Sequence, residues 1–167
     1  MSQPNSVTNT ITQYLTINIA EEEYGIDILS VCEIRGWSSV TRIPQAPHYV
    51  LGVLNLRGAI VPVLDLRLRF GLSREGYTTT VTVIVTVAGR LFGVVVDAVS
   101  DVLDIESAQL RPVPDMGTAV DTEYLKGLTS IGERMILLLD TNKLLQPQDV
   151  QMLDAALNAV VDVKAVA

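Results

Sequence analysis

Aromatic residues are scarce in this chain of 167 residues, with two Phe, one Trp and five Tyr. A core must therefore be assembled from Val, Leu and Ile, and the β-branched members favour pleated sheets. There is one cysteine, Cys32, and one histidine, His48. A single thiol excludes an internal disulfide and a Cys-x-x-Cys metal site, and fits a reducing compartment. Cations are outnumbered, at 12 Lys and Arg against 19 Asp and Glu, for a net charge of −7. No basic cluster offers itself to phosphates, so nucleic acid is not an expected partner. No cationic start precedes an apolar stretch, so no secretion signal is expected. The longest uncharged β-like run, residues 77–89 before Arg90, carries five threonines and is too short to span a bilayer.

What remains is a chain rich in short aliphatic segments between polar turns. Residues 13–20 alternate, with Leu15, Ile17 and Ile19 opposite Tyr14, Thr16 and Asn18. The spacing of Ile28, Val31 and Cys32 predicts a short helix over residues 28–35, capped by Asp27 and ended by Gly36. Residues 50–56 and 59–66 flank Arg57-Gly58, which reads as a tight β-hairpin. Pro62 inside its second arm predicts an edge strand or a bulge. Further strands are expected at 79–87, 91–96, 101–105, 110–113, 124–131 and 135–140. After Pro147, the spacing of Val150, Leu153, Leu157 and Val160 predicts the one long helix. No repeat at a fixed period is visible. The expected organisation is a flexible arm over residues 1–12, one domain over 13–160 and a tail over 161–167.

Catalytic chemistry has few candidates. His48 lies in a proline-bounded loop and lacks an identifiable partner, and Cys32 falls on the apolar face of the expected helix as a small buried hydrophobe. Asp97, Asp101 and Asp104 form a close carboxylate cluster, and they read as solvated groups around a turn at 98–100. No phosphate-binding loop, zinc-protease motif or nucleophile elbow occurs. The expectation is no enzyme, no catalytic residue, no metal and no cofactor.

Four collinear blocks carry a resemblance. Tyr24-Gly25-Ile26-Asp27-Ile28-Leu29 with Glu33-Ile34-Arg35-Gly36 is the first. Residues 53–67, centred on Asn55-Leu56-Arg57-Gly58, form the most distinctive one. Residues 93–103 and 122–128 complete the set. Together they resemble the CheW family of chemotaxis adaptors. That resemblance implies an all-β fold, with two SH3-like five-stranded barrels packed together and a C-terminal helix. It implies a cytoplasmic adaptor between chemoreceptor tips and the CheW-like regulatory domain of the histidine kinase CheA, associated with the membrane only through its partners. It also implies a receptor-binding groove at Ile28, Val31, Glu33, Gly52, Arg57, Val83, Val99 and Val102, with Arg57 meeting Glu33. The kinase-contact residues are not assigned, although Met116 in the 114–124 loop is a candidate. The competing classes are a nucleic-acid-binding or small-ligand-binding barrel and an adaptor of a non-motility pathway; the acidic charge weighs against nucleic acid.

Overall fold

The computed structural model describes residues 9–37, 39–73, 80–114, 122–144, 149–155 and 158. Ten strands follow one another: β1 (Ile11–Ile19), β2 (Glu22–Asp27), β3 (Val31–Gly36), β4 (Val50–Leu56), β5 (Ala59–Asp65), β6 (Val81–Val87), β7 (Arg90–Val96), β8 (Ala98–Glu106), β9 (Leu125–Ile131) and β10 (Arg134–Leu139). A one-turn helix, α1 (Leu66–Arg69), follows β5, and residues 149–155 are helical. The strands make two five-stranded sheets. The terminal unit, drawn from both ends of the chain, has the order β8-β1-β2-β10-β9, and the middle unit has the order β3-β6-β7-β5-β4. This is the all-β, two-unit architecture that the resemblance implied.

Adding five to a strand number converts one unit into the other. The hairpin β1–β2 matches β6–β7, and β4–β5 matches β9–β10. The parallel ladder β2–β10 matches β7–β5, and the antiparallel ladder β1–β8 matches β6–β3. Registers agree as well: Gly25 faces Thr16 and Leu138, as Gly93 faces Ile84 and Val63. An isolated bridge completes each unit between its two edges, Thr41 to Val53 in one and Arg111 to Leu128 in the other. The equivalences show in the sequence too. Ala20, Tyr24 and Gly25 correspond to Ala88, Phe92 and Gly93 at a spacing of 68. Tyr49, Gly52 and Asp65 correspond to Tyr124, Gly127 and Asp140 at a spacing of 75. The spacing changes because the path from β8 to β9 is longer than that from β3 to β4, which is why no fixed period reveals the duplication.

Because the strands are buried on two faces, three apolar clusters form. The largest lies between the units and joins Ile17, Tyr24 and Ile26 to Val83, Phe92 and Val94. Leu54, Val63 and Ile84 fill the middle unit, and Tyr14, Ile105 and Ile136 fill the terminal one. At the seam the Arg69 guanidinium lies 4.6 Å from the rings of both Tyr49 and Tyr124, and it donates to the Leu144 carbonyl. Burial pushes the Tyr49 phenol up, helped by the neighbouring Asp149.

Several sequence expectations are corrected. The segment read as a helix over 28–35 is a three-residue 3-10 turn, Ile28–Ser30, followed by strand β3. Asp27 does cap it, accepting from Leu29 N–H at 2.9 Å. Cys32 is exposed, with Thr86 Oγ1 2.9 Å from its sulfur. Pro62 sits in β5, which has neighbours on both sides. Val53, opposite it, spends its N–H and C=O on Thr41 at 2.8 and 2.9 Å, so this is a non-hydrogen-bonded position and the missing donor costs the β4 ladder nothing. Residues 98–100 open strand β8 rather than forming a turn, and residues 110–113 hold only the Arg111 bridge. β1 begins at Ile11, inside the stretch read as an arm. Residues 1–8, Met116 and Pro147 lie outside the described residues.

Candidate functional site

The hairpin β4–β5 turns through Arg57 and Gly58, both at positive φ, 51° and 91°. That backbone matches the twist of the flanking strands, and glycine takes its share without steric cost. Asn55 Oδ1 accepts from Gly58 N–H at 2.9 Å and locks the turn. The turn carries the Arg57 side chain out to 75% exposure, where its Nη2 donates to Glu33 Oε1 at 3.0 Å. Glu33 reaches this point from strand β3, not from a helix. Its other oxygen faces Arg35 at 3.6 Å. Since β3 and β4 are opposite edges of the middle sheet, the ion pair spans the unit's closure.

The apolar candidates fall into three groups. Ile28, Val31 and Val99 are half-buried against the shared core. The turn holding Ile28 touches both β1 and β6, while Val99 pairs with Ile17 of β1, so these side chains gather where the units meet. Val102 is 45% exposed on the edge strand β8. Val83 is fully buried and belongs to the core, so it has no surface to offer a partner. Gly52 is buried as well. At φ 154° it lies beside the Thr41 carbonyl, and any Cβ would run into that backbone. The close approach it permits is made by the chain itself, next to a register shift between Val50 and Gly52.

The sequence reading missed several exposed or charged groups nearby. Leu29 is 89% exposed at the crest of the 3-10 turn, and Ile34 and Trp37 are nearly half exposed on and just after β3. Alternation along β3 is the signal that could have placed Ile34 outward. The three aspartates read as a cluster have separate partners. Asp97 is buried, takes Arg67 Nε at 2.8 Å and accepts from Ala20 N–H at 2.6 Å. Asp104 accepts from Gln13 at 3.0 Å. Asp101 accepts from Arg134 at 3.1 Å and also bonds the Thr16 hydroxyl. Arg134 in turn grips Glu23 at 2.6 and 2.9 Å. Hydrogen bonds from Arg134 hold the Glu23 carboxyl below its usual range, against a smaller opposing effect of burial. Arg134 and then Thr16 do the same for Asp101. Among the described residues, no group of three His, Cys, Asp or Glu is placed to hold a metal ion. His48 is exposed and meets Tyr49 edge-on at 5.6 Å.

A face of this kind, aliphatic with one exposed charge pair at its rim, is suited to docking another protein rather than to bond making. Comparison with known proteins agrees. The CheW-like domain family model matches residues 13–149. The chain is 46% identical over 143 residues to chemotaxis protein CheW of Klebsiella aerogenes, covering 85% of this chain and 86% of that one. It is 34% identical to chemotaxis protein CheW of Rhizobium meliloti, over 86% and 93% of the two chains. Its fold superposes on the crystal structure of the scaffolding protein TtCheW from Thermoanaerobacter tengcongensis with a TM-score of 0.77 and 33% identity, over 84% of this chain and 96% of that one.

Proposed function

This chain belongs to the CheW-like domain family, and from that premise we propose that it is the coupling scaffold of a chemotaxis system, joining chemoreceptor tips to the histidine kinase CheA. The observation that carries this reading is the family match across residues 13–149, together with relatives named chemotaxis protein CheW that it matches over most of both lengths. The chain acts by contact and not by catalysis. Its work is done on the cytoplasmic side, where receptor tips lie; no described helix is long and apolar enough to cross a membrane.

The receptor tip is a helical hairpin, and it lies along the meeting line of the two units. Ile28, Val31, Val99 and Val102 supply apolar contact, and Leu29 extends that surface. Each such side chain contributes up to ~1.5–3 kcal/mol if fully buried, before the cost of association. Arg57 and Glu33 form the polar rim that sets the helix in register. Val83 and Gly52 act behind this face, as core and as backbone clearance. The kinase docks through its own CheW-like regulatory domain at a separate surface.

Reconstitution tests the reading. Receptor cytoplasmic fragment and CheA are mixed with and without this chain, and kinase autophosphorylation is followed. Receptor control of the kinase is expected only in the complete mixture. Equal control without the chain would sink the proposal, as would failure to capture both partners in a pull-down.

A further inference from the structure

Among the described residues, every ladder that builds the sheets beyond simple hairpins runs between the two halves of the chain. The first half, β1 to β5, forms the hairpins β1–β2 and β4–β5, and the second half forms β6–β7 and β9–β10. Everything that joins these hairpins crosses over: β1 to β8, β2 to β10, β3 to β6 and β5 to β7. Each unit therefore holds one hairpin from one half, and an edge strand plus a hairpin from the other. The crossings are short. Three residues, Ile28–Ser30, carry the chain from β2 in the terminal unit to β3 in the middle unit, and Asp97 alone separates β7 from β8 on the return. Connections this short keep the two hairpins of one half apart, in different units.

The four crossing ladders form two equivalent sets under the strand relation n to n + 5. The surface that the first half offers the second matches the surface that the second offers the first, which is the isologous arrangement of a twofold dimer. One covalent connection between Phe70 and Val81 makes it a single chain. We propose that a second copy of this chain is a matching partner: two copies exchange halves, the first half of each closing on the second half of the other, to give a dimer whose units are the same as those of the monomer. The exchange forms no new contact and loses none of the ladders. Its balance against the monomer is set by the connection, which holds the two halves of one chain at an effective concentration of about millimolar. At micromolar protein the closed monomer is favoured by roughly a thousandfold, and concentrated refolding or a shortened connection shifts the balance to the dimer.

The test begins with the full chain unfolded in urea and refolded at about 10 μM and at about 1 mM, with mass read by light scattering after dilution. A species of twice the monomer mass, with an unchanged strand signal in circular dichroism, is expected only from the concentrated sample. A protease site placed within residues 74–79 is then cut in the folded dimer. An exchanged dimer falls to particles of monomer mass, because only the two connections hold its units together. A dimer that keeps its mass after cutting is an ordinary surface dimer and overturns the proposal. A variant lacking residues 74–79 adds a second reading, with a raised dimer share at equal concentration. Monomer alone from both chains at 1 mM would also overturn it. A third overturning result needs no dimer: cutting the connection in the folded monomer and finding that the two halves separate under native conditions.

Discussion

The terminal and middle units follow one plan, yet each holds an arginine near its hairpin mouth in its own way and at its own position, since Arg57 corresponds to Gly132 and Arg134 to Ala59. In the terminal unit Arg134 binds Glu23 through two nitrogens and Asp101 through two more contacts, and Asp101 is held in turn by Thr16. In the middle unit Arg57 has, among the described residues, a single bond, to Glu33, and is 75% exposed. The position that matches Glu23 is Leu91, so Arg57 has no second carboxylate to clamp it. Asp101 and Glu33 are equivalent edge-strand positions, each just before a residue that faces matching strands, Val102 with Leu15 and Ile34 with Val83. The same device thus closes one unit and leaves the other with a donor to spare. A fixed mouth contributes stability, and an open one can be completed by a partner.

The sharpest way to break the comparison is at the paired glycines. Gly52→Ala drives a Cβ into the Thr41 carbonyl at a φ that suits only glycine. A loss of about 3 kcal/mol or more is expected by urea unfolding. Gly127→Ala, at the matching position, brings its Cβ to 3.2 Å from the Arg111 carbonyl, without a left-handed φ. A loss of about 1 kcal/mol is expected there. Equal losses would mean that the two closures are built alike after all.

A second contrast separates core from surface among the groove candidates. Val83→Ala removes buried methyl groups and is expected to cost about 2 kcal/mol. Val102→Ala changes a half-exposed side chain and is expected to move stability by less than about 0.5 kcal/mol. Receptor affinity, measured on the folded fraction, is expected to fall for Val102→Ala and to hold for Val83→Ala. The reverse pattern would remove β8 from the binding face.

These contrasts also mark what the sequence could and could not reveal. Hairpins were legible because Arg57-Gly58, Ala88-Gly89 and Gly132 interrupt β-branched or aliphatic runs with residues suited to positive φ. The contact of Arg57 with Glu33 was legible only through family resemblance, since the two lie on opposite edges that meet when the sheet closes. Misreading β3 as helix has a plain cause. The 3-10 turn Ile28–Ser30 sets Ile28 three residues ahead of Val31 at the mouth of the strand, and short apolar segments do not distinguish the two periods. Asp97 looked like a turn residue because nothing local announces Arg67, thirty positions away. The Arg134 cluster joins residues 111 positions apart and could be placed only by the fold.

Acid separates the two mouths next. Glu23 and Asp101 have folded pKa values below their usual ones, so their contribution is complete above the normal carboxylate range and is lost as pH falls through the lowered values. The wild-type chain is therefore expected to lose stability from about pH 4.5 downward, in part through these groups. Arg134→Met removes the cause of both shifts. Its melting temperature is expected to lie below wild type at pH 7 and to converge on it as pH falls through the lowered values. Parallel curves at all pH values would show that the clamp is not held by charge.

The smallest stability effect is expected at Arg57, and it carries the most functional weight. An exposed ion pair of this kind contributes only ~0–1 kcal/mol, so Arg57→Ala should leave the melting temperature almost unmoved. If the middle mouth is completed by the receptor, the same substitution removes a contact that exists only in the complex. An arginine at the rim of a docked helix is then worth roughly tenfold in affinity. Receptor binding by Arg57→Ala, Glu33→Gln and the double variant settles whether the two act together, because side chains that share a partner give non-additive losses. Coupling in the receptor complex, with little coupling in the unfolding of the free chain, is the outcome that distinguishes an open mouth from a second clamp. A large stability loss for Arg57→Ala would make the two units alike, and the case for Arg57 as the receptor's partner would go with it.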